Sequence, residues 1–145
     1  MTLIELMIAL VIVGILTSVA LPLYTRYQER SYAAQAMADL GDCAQALERH
    51  YTVNFTYAGA AAGGADTGVP LGTVCSGVSP PRGQGLYNVS IQAATNTAFT
   101  LRATPIVGQA AATAGLMEID ATGVRRWDKN DDGDSADAGE DNWDF

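Results

Sequence analysis

Basic residues are scarce in this chain. Of its 145 residues only 8 are Lys or Arg, against 16 Asp or Glu, for a net charge of −8. A surface that holds phosphate needs clustered cations, so this balance argues against a nucleic-acid interface, and no direct nucleic-acid site is evident. Histidine occurs once, as His50 beside Tyr51, so neither a catalytic triad nor a zinc set can be assembled around it. Serines such as Ser76 and Ser90 have no identifiable base, and an enzyme is the least expected class. The length is that of about one domain.

The acids are unevenly placed. Between Asp128 and Phe145 stand eight acids and one lysine, so −7 of the −8 lies in the last 18 residues and the body before them is nearly neutral. Apolar residues concentrate at the other end, in "MTLIELMIALVIVGILTSVALPLY". No basic segment precedes this run, no small-residue cleavage site ends it, and Arg26 and Arg30 follow it, so it reads as a retained segment, not a cleaved signal. From Leu6 to Leu21 no residue is charged. With Met1 to Ile4 and Leu23 the run reaches the roughly 20 residues that cross a bilayer core as a helix. Glu5 interrupts it, and an ionised carboxylate in lipid is a functional residue by default. The alternative is a side chain that snorkels to the interface near the helix end.

Beyond the run, Tyr32, Ala33, Ala36, Met37, Leu40, Cys43, Ala44 and Leu47 recur at spacings of three and four, a helical stripe. The two segments join into one helix of about 75 Å, apolar all round below and amphipathic above. Gly14 and Pro22 are its weak points, where a kink or a melted stretch is expected. A Gly/Ala-rich loop follows. Then Tyr87–Ala93, Phe99–Pro105, Leu116–Asp120 and Gly123–Trp127 read as antiparallel strands, the last two joined by an Ala-Thr-Gly turn. The fold class is α+β.

The stretch "TLIELMIALVIVGILTSVALPLY", with Thr2, Glu5, Gly14 and Pro22 at these spacings, closely resembles the mature amino terminus of type IV pilins and, more broadly, the pilin and pseudopilin superfamily. The order helix, loop, four strands, tail is similar to the pilin architecture, most like the type IVa branch. The resemblance implies a filament-core and transmembrane half at residues 1–23 and a globular head at 24–145. The head divides into helix 24–52, loop 53–86, sheet 87–127 and acidic loop 128–145. It implies that a prepilin peptidase cuts before Met1 and methylates the new amine. Glu5 then meets the amine of a neighbouring subunit during assembly, with Thr2 adding a hydroxyl bond. In a head outside the cytoplasm Cys43 and Cys75 are expected to form a disulfide, stapling the Gly-rich loop to the helix. Many type IVa pilins enclose the carboxy-terminal loop instead, which leaves the tail here in need of another restraint.

"DKNDDGDSADAGED" offers one. Asp128, Asn130 and Asp132 stand at positions one, three and five of a calcium loop, followed by Gly133 and Asp134. Position 12 holds Gly139 in place of an acid, so closure would fall to Asp137 or Glu140. Calcium is the one cofactor implied. The alternative is a solvated acidic tail, against which Trp143 and Phe145 argue.

The leading expectation is therefore the major subunit of a type IV pilus. It would serve adhesion, twitching, DNA uptake or biofilm formation, be stored in the bacterial inner membrane and assembled at the cell surface. Its partners would be copies of itself, the assembly machinery and minor pilins. A minor pilin or type II secretion pseudopilin is the alternative, and a single-pass, calcium-dependent binding module is the alternative of another class.

Overall fold

The computed structural model describes residues 2–144. Helix α1 (Leu3–Asn54) runs 52 residues, about 78 Å at 1.5 Å per residue. Its first turn is closed by a reciprocal capping box: Glu5 N donates to Thr2 Oγ1 at 3.4 Å, and Thr2 N donates to Glu5 Oε2 at 2.7 Å. At the far end Phe55 takes a left-handed conformation, and its N–H donates to Tyr51 O. The helix continues through Gly14 and Pro22 without a break, so the expected melted stretch is not present in the isolated chain. One missing amide is tolerated when good helix formers flank it.

The upper half of α1 buries one face. Ala33, Ala36, Met37, Leu40, Cys43 and Leu47 meet Tyr87, Val89, Ile91, Phe99, Leu101, Ala103, Met117 and Ile119 in one core. Each of the larger side chains contributes about 1.5–3 kcal/mol by leaving water. The sheet is an antiparallel meander of β1 (Val78–Ser79), β2 (Tyr87–Ala94), β3 (Phe99–Pro105), β4 (Met117–Asp120) and β5 (Arg125–Trp127), in spatial order of sequence. Alternation along β3 puts Phe99, Leu101 and Ala103 inward. A register shift between Ile91 and Ala93 interrupts β2.

Five strands therefore replace the expected four. Strand β1 falls in the stretch read as loop, because two residues are too few to show a period and only the pairing of Val78 with Asn88 and Ser79 with Tyr87 makes them a strand. Strand β5 begins at Arg125, two residues later than expected. The Asp120 carboxylate accepts from the amides of Thr122 and Val124 and from the Thr122 hydroxyl, which draws residues 121–124 into the turn. Burial pushes this carboxyl up, but those bonds and the nearby Arg126 outweigh it, so Asp120 titrates below its ordinary range.

Candidate functional site

Three places hold the residues singled out in the sequence, and the fold keeps them apart. The first is the lower end of α1. From Leu3 to Tyr27 every residue is exposed, including Ile4, Met7, Ile8, Val11 and Ile12, which line one wholly apolar groove. An uncovered apolar helix of this length needs a hydrocarbon or protein environment that the chain itself does not supply. Glu5 stands in this segment and is held by Thr2 on its own chain. This local role was legible as Thr-x-x-Glu, the sequence signature of a capping box. Met1, whose amine is the expected partner of a neighbour's Glu5, lies outside the described residues.

The second place is the disulfide. Cys43, buried on α1, is bonded to Cys75, with Cα atoms 5.2 Å apart and a separation of 32 positions in sequence. It staples the loop to the helix as expected. The same loop is held again where Ser79 Oγ donates to the Asp39 carboxylate, and where Gly68 and Ile91 exchange backbone bonds.

The third place is the acidic tail, which docks on the sheet. Trp143 Nε1 donates to Arg126 O at 3.0 Å, and the Arg125 guanidinium lies 4.9 Å from the Trp143 ring centre, a cation–π contact. Trp127 N donates to Glu140 O at 2.8 Å, and Ser135 Oγ to Glu118 Oε2 at 2.9 Å. The other oxygen of Glu118 takes Arg102 at 2.7 Å. Gly115 lets the chain at Asp128 pass: a Cβ there would lie 1.7 Å from Asp128 O, and its φ of +73° already favours glycine. Phe145, the other aromatic expected to dock, is outside the described residues.

Within the tail, Asp128 is fully buried and accepts from Asp132 N and Gly133 N. Asn130 Nδ2 donates to Asp132 Oδ2 and Asp137 Oδ2, at 3.1 and 3.3 Å. Asp134 accepts from Ala136 N. Among the described residues no three Asp, Glu, His or Cys side chains are gathered as a ready metal centre.

Sequence reasoning also missed a pocket of about 300 Å³ where the helix meets the head, lined by Arg26, Glu29, Arg30, Thr113, Trp127 and Lys129. Beside it in charge though not in its wall, Tyr87 is fully buried with no hydrogen-bond partner for its hydroxyl among the described residues. Burial, and then the Glu29 charge, push that phenol well above its ordinary range. Neither feature leaves a local pattern, since the residues come from α1, β2, β5 and a loop.

The sequence over residues 22–118 matches the model of a family described as type IV minor pilin ComP, DNA uptake sequence receptor. In fold, the chain is similar to the non-core minor pilin PilV of Neisseria meningitidis. The TM-score is 0.53 at 14% identity, covering 81% of this chain and 98% of that one. No curated protein sequence matches. The matched segment is most of the chain, and the protein therefore belongs to the type IV minor pilin family. The resemblance read from the first 24 residues thus holds for the head as well. Of the two pilin roles weighed, the minor-pilin alternative is better supported than the major subunit.

Proposed function

We propose, from membership of that family, that this chain is a minor subunit of a type IV pilus, anchored in the inner membrane before assembly and inserted among other pilins afterwards. The observation that carries the reading is the bare lower half of α1, apolar on every side, on a head whose own core is complete without it. A single helix serves both environments: lipid covers it in the monomer, and neighbouring helices cover it in the filament. Open helical assembly follows when the operation that relates neighbours does not close into a ring. The neighbour's amine would then replace Thr2 as a partner of Glu5, where opposite charge offsets a desolvation cost neither group can avoid alone. A stretch freed at Gly14 to Pro22 on packing would give the filament extensibility.

Recognition of DNA is the finer reading, supported by the description of the matched family. The net charge of −8 opposes it. Four arginines, Arg26, Arg30, Arg49 and Arg82, make neither an ion pair nor a cation–π contact among the described residues and are the cations available to phosphate.

The test is quantitative mass spectrometry of sheared surface fibres, with and without Glu5→Ala. A minor pilin is expected in fibres far below the stoichiometry of another pilin, and Glu5→Ala should leave it in the membrane fraction. Fibres made mainly of this chain would restore the major-subunit reading, and its absence from all fibres would favour a membrane-anchored binding module. For DNA, fluorescence anisotropy of the detergent-solubilised chain should show binding that weakens steeply with salt and with Arg49→Ala plus Arg82→Ala.

A further inference from the structure

The tail holds a buried carboxylate oxygen with nothing to bond. Glu140 is only 4% exposed; its Oε1 accepts from Lys129 N at 3.0 Å, and its Oε2 has no hydrogen-bond partner among the described residues. Such an oxygen, kept from water, is costly unless a cation or a donor meets it. Glu140 lines one open pocket with Asn130 and Asp137, whose side chains already touch.

The segment opposite Glu140 is wound so that oxygens alternate. Asp128 accepts from Asp132 N at 3.2 Å and Gly133 N at 2.9 Å, Asn130 Oδ1 accepts from Asp132 N at 3.0 Å, and Asp132 Oδ1 accepts from Asp134 N at 3.0 Å. Asp131 and Gly133 supply the left-handed turns, with φ of +58° and +93°. A carboxylate has about four lone-pair sites, so these bonds orient the side chains without exhausting them. Lys129 Nζ donates to Gly139 O and Asn142 Oδ1, so the two ends of the loop already meet.

We infer that this loop is a calcium site in which Asp128, Asn130 and Asp132 form one arm and Asp137 and Glu140 the other, with the buried Oε2 of Glu140 as the anchoring ligand. Every available donor is an oxygen, which selects a hard cation; the only imidazole, both cysteines and all four methionines are elsewhere in the sequence. Several carboxylates on a flexible loop suit calcium over magnesium, which demands rigid octahedral geometry and keeps its waters. Residues 128–140 carry six acids and one lysine, a charge that a divalent ion relieves. Because the carboxylates do not stand together as a ready centre, binding draws the two arms toward each other. The ion then fixes the tail on β5, the end of the head that the disulfide does not reach. This site is independent of the role proposed above, since it needs neither a filament nor DNA.

The chain carries its own reporters. Trp127 adjoins Asp128 and Trp143 follows Glu140 by three residues, so either can sensitise terbium luminescence. The full chain in detergent, stripped with chelator, is titrated with terbium, then with calcium and magnesium as competitors, and calcium binding is repeated by calorimetry. Saturable emission at about one ion per chain is expected, displaced by calcium well before magnesium. Glu140→Gln and Asp132→Asn should each weaken binding at least about tenfold, while Asp144→Asn, beyond the loop, should not. Far-UV circular dichroism and disulfide mapping establish that each variant is folded. The proposal is overturned if the wild-type chain shows no saturable binding at millimolar calcium. It is equally overturned if folded Glu140→Gln and Asp132→Asn bind as the wild type does, which would mean ions merely condensing on an acidic tail. Should those two variants not fold, the decision rests on the wild-type stoichiometry and on calcium protecting residues 128–144 from proteolysis.

Discussion

Leu16 and Leu40 lie on the same helix, 64% and 0% exposed. The lower half of α1 is the more hydrophobic of the two, yet it is the half that the chain leaves bare. The upper half, with alanines, charges and a cysteine, is the half that the sheet covers. Hydrophobicity of a helix therefore does not say whether its own chain buries it. Periodicity does: a stripe implies a partner on one side, and an all-round apolar surface implies surroundings on every side.

Paired truncations should break this comparison most visibly. Leu40→Ala should lower the stability of the head by about 2–5 kcal/mol, whereas Leu16→Ala should leave the urea midpoint of the detergent-solubilised head unchanged. Equal effects would mean that the lower half is part of the head's cooperative unit. Next in size, replacing Cys43 and Cys75 by Ser should remove about 3–4 kcal/mol by freeing a loop of this length in the unfolded chain. Tryptophan fluorescence would report the earlier unfolding, while helicity of the lower half should persist.

The smallest effect sits at the upper end, around Tyr57. Its hydroxyl donates to both Glu48 oxygens at 3.0 Å, and its ring stacks on Tyr51 at 4.7 Å. Burial first, then the Glu48 bond and charge, push its phenol up to about 12 from an ordinary value near 10. The folded state thus favours the neutral phenol. Its contribution is fully present below about pH 10 and is lost as pH rises toward the folded value. Tyr57→Phe should flatten that alkaline decline, measured as the difference in urea midpoint between variant and wild type from pH 8 to 12.

Much of this was readable before folding. The helix stripe at Ala33, Ala36, Met37, Leu40, Cys43 and Leu47 matches the buried face, and β2 and β3 lie where alternation put them. The disulfide was expected from a count of two cysteines in a head read as lying outside the cytoplasm, and the bond is present. Thr2 and Glu5 carried a capping signature as well as a resemblance to the pilin amino terminus, and the resemblance drew attention away from the local bond. What escaped was non-local. Strand β1 is two residues long, and the pairing of Glu118 with Arg102 and Ser135 joins two strands and the tail.

By itself the sequence determined the long helix, its apolar lower half, the strand periods and the one possible disulfide, because each depends on spacings within a few turns or on a count. Only the tertiary structure decided that the acidic tail docks, that Gly115 must admit the chain at Asp128, and that Glu140 buries an oxygen without a partner. Those facts arise where segments distant in sequence are pressed together, and close approach and the exclusion of water belong to the packed molecule, not to any stretch of it.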